Sequence, residues 1–266
     1  MRIRFFLLTM ALLAAAPAFA QHTESLSVGQ RFHLETGFGA AGSKTLNPHW
    51  GRELPTFKTY EGAARLRFPA ASVGNLSVED AISHRRSTRS FSKKPMSLEH
   101  LAGVLMAGYG ITEPHGDAGR RGVASAGGLY PMELYVIVAA VDSLPAGIYH
   151  FRPADTSLER IAEGDFSAGV YEAGNRQRTT ESSPATLIIA ARFDRTTGKY
   201  ADRGYRYVYI EAGAICQNVY LQTAALGLGT CAVGAFNDDA VSALIGIDGF
   251  DEAPILMMPL GFPAES

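Results

Sequence analysis

The stretch RRSTRSF, residues 85–91, sets Arg85, Arg86 and Arg89 around the hydroxyls of Ser87 and Thr88. Guanidinium groups are planar and permanently charged, so two or three that converge can hold a phosphate bidentately. A hydroxyl such as that of Ser87 adds a neutral donor. The same residues also suit a solvated helix end, where cations complement the helix dipole. Two further stretches offer bare backbone. Ser125-Ala-Gly-Gly-Leu-Tyr-Pro places Ser125, Ala126, Gly127 and Gly128 just ahead of an apolar run. Small residues let a flat ligand reach main-chain N–H and C=O groups, and a plain turn before a strand reads the same way. Gly227-Leu-Gly-Thr-Cys-Ala-Val-Gly-Ala-Phe236 repeats the theme with Val233, Gly234 and Ala235. A glycine after a helix and another in a strand are also common punctuation.

The elements that must position these stretches are legible around them. Ser77-Val-Glu-Asp80 has the spacing of a capping box and predicts a helix to about His84. Ser97 caps a second predicted helix, in which Leu98, Leu101, Val104, Leu105 and Tyr109 share a face and Gly110 ends the run. RRSTRSF is the connection between the two. Residues 134–141, 185–193, 231–236 and 254–260 read as strands, and 147–151 with 158–161 as a pair of short strands around a turn. A long helix is predicted over 205–226, and a short one follows Asn237 through Leu244. Residues 21–70 have weak periodicity and predict an irregular arm, held on the core by Phe32, Leu34, Phe38, Trp50, Phe57 and Tyr60. Buried strands scattered among helices, with no regular βαβ repeat, predict an α+β fold.

Bulk properties narrow the function. Arg2 and Arg4, the apolar stretch 5–16 and Ala18-Phe19-Ala20 have the layout of a secretory signal peptide over residues 1–20. The expected protein is therefore exported, in all expectation to a periplasm, with no stable membrane insertion after cleavage. Cleavage takes Lys+Arg from 24 to 22 against 26 Asp+Glu, a formal charge of −4. That balance gives no basic face for nucleic acid. Cys216 and Cys231 are the only cysteines; they could pair in an oxidising compartment or stay as two buried thiols. No metal-ligand spacing occurs.

Taken in order, RRSTRSF, SAGGLYPMELYVIV, GIYHF, KYADRGYRYVYIEAGAICQNVYLQTAALGLGTCAVGAF and PILMMPLGFP make residues 75–263 resemble the nitroreductase-like flavoenzyme superfamily. Within it they resemble the SagB-type dehydrogenase branch, which includes thiazoline and oxazoline oxidases. The resemblance implies a nitroreductase-like α+β fold, a mainly antiparallel central sheet flanked by helices, and a homodimer with FMN held non-covalently at its interface. It divides the chain into a signal peptide (1–20), an arm packed on the core (21–70) and an FMN-binding domain (71–266).

By the same resemblance, Arg85, Ser87 and Arg89, with Arg86 alongside, would face the FMN phosphate and ribityl chain. Ser125, Ala126, Gly127 and Gly128 would lie along the flavin from the partner subunit, and Val233, Gly234 and Ala235 would hold the ring edge with backbone groups. Lys199 and Tyr200 correspond to a proton-handling pair of azoline-oxidising members. Lysine serves as a base where burial or nearby cations depress its pKa, and Arg195 and Arg203 are the cations near in sequence. The bland reading of the pair is a surface-loop cation and a half-buried tyrosine. Two departures stand out: Ala124 where the family often has Pro, and Ala214 where many members have His. The implied function is an exported FMN-dependent oxidoreductase that exchanges a hydride between flavin N5 and a small organic or peptide-derived substrate. The alternatives are a flavin-free relative kept as a binding or assembly protein, and an azoline or peptide dehydrogenase of natural-product maturation.

Overall fold

A computed structural model describes residues 26–37 and 55–265. The expected signal peptide, Phe38 and Trp50 lie outside the described residues. In chain order the elements are α1 (Val28–Glu35), β1 (Ala64–Arg67), α2 (Val78–His84), α3 (Leu98–Tyr109), β2 (Ile111–Glu113), β3 (Arg120–Arg121), β4 (Met132–Val138), β5 (Gly147–Arg152), β6 (Ser157–Glu163), α4 (Ser167–Ala173), β7 (Ala185–Arg192), α5 (Phe193–Tyr200), α6 (Arg203–Ala225), β8 (Gly229–Thr230), α7 (Asp238–Ile245) and β9 (Glu252–Gly261). Seven strands form one sheet in the order β1-β6-β5-β4-β7-β9-β8, and every neighbouring pair in it is antiparallel. The fold is the expected α+β arrangement.

The apolar run of β4 is continuous because the strand is buried on both faces. Leu134, Val136 and Val138 pack with Leu101, Val104 and Leu105 of α3 and Val208, Ile215 and Val219 of α6. Tyr135 and Ile137 pack on the other face with Val170 of α4 and Val241 and Ile245 of α7. Alternate residues of one strand thus serve two cores. The helix starts follow from caps: Ser27, Ser77, Ser97 and Asn237 each accept a hydrogen bond from a first-turn N–H.

Three expectations need correction. The arm is not irregular throughout: a capping box between Ser27 and Gln30 starts α1, and β1 closes one edge of the sheet against β6. The predicted strand over 231–236 is absent apart from a single bridge from Val233 to Met257; the strand here, β8, lies just before it at Gly229–Thr230. Its ladder is interrupted because the Ala232 N–H goes to the Tyr220 hydroxyl instead of a strand. Lys199 and Tyr200 sit at the end of a helix, α5, rather than in a loop.

Charged groups lie inside the sheet. Nε2 of His150 is 2.8 Å from Glu133 and its Nδ1 is 3.1 Å from Glu159, all three being buried. Arg195 pairs with Glu133 at 2.7 Å and Arg65 with Glu159 at 2.9 Å. Lys58 reaches Glu252 and the Tyr135 hydroxyl, both at 2.7 Å. These contacts fasten the arm to the sheet. Burial alone would lower the His150 pKa, but the hydrogen bonds and charges of the two glutamates outweigh it and raise the value above 6.5. Burial would raise Glu133, yet His150 and Arg195 bring it down to about 2. The imidazolium contributes stability that is complete below pH 6.5 and is lost as pH rises through its raised folded value. Glu133 contributes stability that is complete above pH 4.5 and is lost as pH falls towards about 2. The unfolding midpoint should therefore fall on going from pH 6 to pH 9. His150→Gln should remove most of that slope and cost about 3 kcal/mol at pH 6, measured by denaturant unfolding at both pH values.

Candidate active site

Helix α2 ends where Arg85 turns to φ −52, ψ 122. Arg86 caps that end: its NH1 donates to the carbonyls of Ser83 and Arg85, each at 2.8 Å. Arg86 thus serves the helix terminus, as the solvated-corner reading held. Arg85 is different. Its guanidinium lies 4.9 Å from the centre of the Tyr220 ring. Ser87 Oγ is 3.1 Å from the Tyr220 hydroxyl, which also accepts the Ala232 N–H at 2.8 Å. One residue on, the Thr88 N–H donates to Thr230 C=O at 2.8 Å. A Cβ at Gly229 would sit 2.3 Å from Thr88 Oγ1, so only glycine permits this approach. The first and third stretches are therefore side by side. Among the described residues, neither Arg85 nor Arg89 forms an ion pair with a carboxylate.

The second stretch meets the Lys-Tyr pair. Ala126–Gly128 form a single 3₁₀ turn in which Gly127 and Gly128 both have φ +66, a region that favours glycine. A Cβ on Gly127 would be 2.8 Å from both Lys199 Nζ and the Tyr200 hydroxyl. These two polar groups therefore close on the bare face of the turn, while Gly128 faces open space. The Ser125 hydroxyl shapes the turn, accepting the Tyr130 N–H at 2.9 Å and bonding to Glu211. Glu211 is buried and accepts from the Tyr109 hydroxyl at 2.6 Å. Burial raises its pKa, against the opposing hydrogen bonds of Ser125 and Tyr109 and the charge of Arg121. Arg195 is committed to Glu133 and the Tyr130 carbonyl, and Arg203 to the Thr36 carbonyl.

Along 233–235 the backbone is only partly open. Val233 exchanges both its N–H and its C=O with Met257, at 2.8 and 3.0 Å. Its own amide is thus unavailable to a ligand, which corrects the expectation for that residue. The Ala235 carbonyl accepts from Asn175 Nδ2 at 2.9 Å and Gln177 Nε2 at 2.6 Å. Gly234 and Ala235 are exposed, and the N–H groups of both have no partner among the described residues.

Two half-sites result. Tyr207 stacks edge-on against Tyr200, with ring centres 5.0 Å apart, at one end of α6, and Tyr220 stands at the other. Thirteen residues of helix place the two ends about 20 Å apart. Exposed apolar side chains occur on these helices: Ile210 of α6, and Val78 and Ile82 of α2, the latter two among exposed Glu79, Asp80, Ser83 and His84. Sequence reasoning missed Tyr220, Asn175 and Gln177. The first carried only the signal of a phenol on an apolar helix face, the others that of an Asn after a helix-ending Gly.

Residues 82–262 match the nitroreductase family. The chain belongs to that family. A nitroreductase-family relative is a protein of Methanocaldococcus jannaschii named as a nitroreductase, 39% identical over 189 residues that cover 71% of this chain and 92% of the relative. The microcin B17-processing protein McbC of Escherichia coli is 25% identical over 201 residues, 72% of each chain. Among solved structures, a nitroreductase of Anabaena variabilis aligns with a TM-score of 0.69 at 26% identity, over 78% of this chain. This chain covers 44% of the length of that one. The protein is thus a nitroreductase-family oxidoreductase, of a family that generally uses flavin, as its motifs implied.

The Tyr220 hydroxyl holds the first and third stretches together. Tyr220→Phe leaves the Ala232 N–H without its acceptor and should cost about 1–3 kcal/mol, measured as a lower urea midpoint at unchanged m-value.

Proposed function

We propose that the protein is an exported, homodimeric FMN-dependent oxidoreductase acting on a small organic or peptide-derived substrate. The single observation that carries this reading is the division of the site. Arg85 and Ser87 stand beside Tyr220 at one end of α6, with Arg89 two residues on in the chain, and neither arginine has a carboxylate partner among the described residues. At the other end, Lys199 and Tyr200 close on Gly127, and Gly128 beside them presents open backbone. A two-fold copy packed on α2 and α6 would set the first end of one subunit against the second end of its partner. The donor set fits FMN: two guanidiniums and a hydroxyl for a phosphate dianion, and amides at Gly234 and Ala235 for a ring edge. When bound, FMN supplies hydride transfer at N5, and the protein supplies orientation and local charge.

The residues then have separate tasks. Arg85 and Arg89 neutralise the phosphate while Ser87 orients it. In the turn 126–128 a planar ring would meet main chain at Gly128, the position with open space, with Lys199 and Tyr200 beside it at Gly127. Lys199 Nζ and the Tyr200 hydroxyl, both at that turn, exchange a proton with the substrate, and in a dehydrogenation would accept the proton that the substrate loses. The similarity to McbC favours a peptide-derived substrate, with azoline dehydrogenation as the specific form of the same reaction. Residues 1–20 carry the export part of the proposal, and the arm stapled to the sheet by Lys58 and Arg65 follows them.

The mature protein isolated from a periplasm, or incubated with FMN, should show bound-flavin absorbance. Arg85→Ala with Arg89→Ala should weaken FMN retention by about a hundredfold, as expected for two charge-assisted hydrogen bonds. A colourless protein that takes up no FMN sinks the reading and leaves the flavin-free binding or assembly role. With a thiazoline-containing peptide as substrate, Lys199→Met should slow turnover by about a hundredfold or more while flavin absorbance stays intact.

A further inference from the structure

Two side-chain amides converge on one carbonyl at the open end of the third stretch. Asn175 Nδ2 and Gln177 Nε2 donate to the Ala235 C=O at 2.9 and 2.6 Å, and Gln177 Nε2 also donates to Gly174 C=O at 2.9 Å. Both belong to the turn that follows α4, where Asn175 and Arg176 have φ values of +56 and +55. Consecutive non-glycine residues in that region each cost about 1 kcal/mol or more, so the surroundings must impose the turn. They do: the Asn175 N–H bonds Glu172 C=O at 3.0 Å, the Arg176 N–H bonds Tyr171 C=O at 2.9 Å, and the Asn237 N–H ties the start of α7 to Ala173 C=O at 2.8 Å.

The geometry of the peptide unit gives this clamp a consequence. A trans peptide is planar, with its C=O and the following N–H directed oppositely. The Val233 C=O is held by the Met257 N–H, so the Gly234 N–H is turned away from β9. The Ala235 C=O is held by Asn175 and Gln177, so the Phe236 N–H is turned away from the α4 turn. The Gly234–Ala235 peptide between them has no hydrogen bond among the described residues, and a Cβ on Gly234 would meet nothing within 4 Å. Its orientation is set only by its two clamped neighbours. From Ala232, which the Tyr220 hydroxyl ties to Ser87, three extended residues reach Ala235, a span of about 10 Å.

We propose that Asn175 and Gln177 are positioning residues that aim the amide donors of the 234–236 stretch at the flavin edge, and so set how strongly reduced flavin is held relative to oxidised. The inference rests on the FMN reading above. Reduced flavin carries negative charge on its ring, and a hydrogen bond to a charged acceptor is stronger than one to a neutral acceptor. Donors aimed at that edge favour the reduced form.

The test is to load FMN on the unmutated protein and on Asn175→Asp, Gln177→Glu and the double variant. Each carboxylate keeps the side chain's size but repels the Ala235 carbonyl. Affinity for oxidised FMN should stay within about twofold, since the phosphate end is untouched, and the thermal midpoint of the flavin-free protein should barely move. The affinity ratio of reduced to oxidised FMN should fall about tenfold in the double variant, the loss of one charge-assisted hydrogen bond, read as a lower midpoint potential. Gln177→Asn should retain more of the parent potential than Gln177→Glu. An unchanged potential overturns the proposal. So does equal weakening of both oxidation states together with a lowered thermal midpoint, which marks a merely structural role. Failure of the unmutated protein to bind FMN at all overturns the flavin reading itself, and is told apart because it needs no mutation.

Discussion

The Tyr220 hydroxyl adds a side-chain tie between two chain segments that are otherwise joined by a single main-chain bridge, Ser87 to Thr230. It accepts the Ala232 N–H and bonds Ser87 Oγ, while the face of its ring carries the Arg85 guanidinium. The phenol is buried in the α6 core, so its position is set by packing rather than by solvent. A buried hydroxyl must find partners, and here those partners are the connection between α2 and α3 and the segment after the long helix. Because Ala232 bonds sideways to Tyr220, the chain leaves the sheet after β8 and returns only once, at Val233. The exposed stretch at Gly234 and Ala235 is the result. An uninterrupted ladder with β9 would have paired those amides and closed that edge.

A second constraint lies inside the sheet. Glu133, His150 and Glu159 form a buried row, and Arg195 extends it from Glu133 to the Tyr130 carbonyl. Removing one partner of a buried pair leaves an uncompensated charge, which is far more costly than losing an exposed pair. The same network therefore fastens two things: the arm, through the Tyr60 N–H and Arg65 on Glu159, and the base of the 125–130 turn. Arg121, stacked 4.0 and 4.4 Å from the ring centres of Tyr109 and Tyr130, stiffens that base from the other side. The bare backbone of Gly127 and Gly128 thus rests on a rigid polar foundation.

Helix α6 separates what the chain cannot bring together by itself. Its length sets Arg85 and Ser87, beside Tyr220, apart from the Lys199–Tyr200 pair, beside Tyr207.

Much of the architecture was legible in the sequence because it depends on local rules. The caps at Ser77, Ser97 and Asn237, the double-sided apolar run of β4 and the glycine at the end of α3 each act within a few residues. Motif order was enough to indicate the family. What the tertiary structure alone decided is which member of each motif is free. The role of Arg86 beside Arg85 in RRSTRSF was left open by the sequence; in the fold one caps a helix and the other lies over a tyrosine 135 residues downstream. Val233 looked as open as Gly234, yet β9 takes both of its backbone groups. Lys199 and Gly127 are 72 residues apart, and no local pattern pairs them; a methyl that Gly127 lacks is the space their contact occupies. Hydrogen bonds and ion pairs are claimed by whichever partner the fold brings nearest. Sequence therefore reveals the supply of polar groups, and only the packed chain decides which of them remain for a ligand.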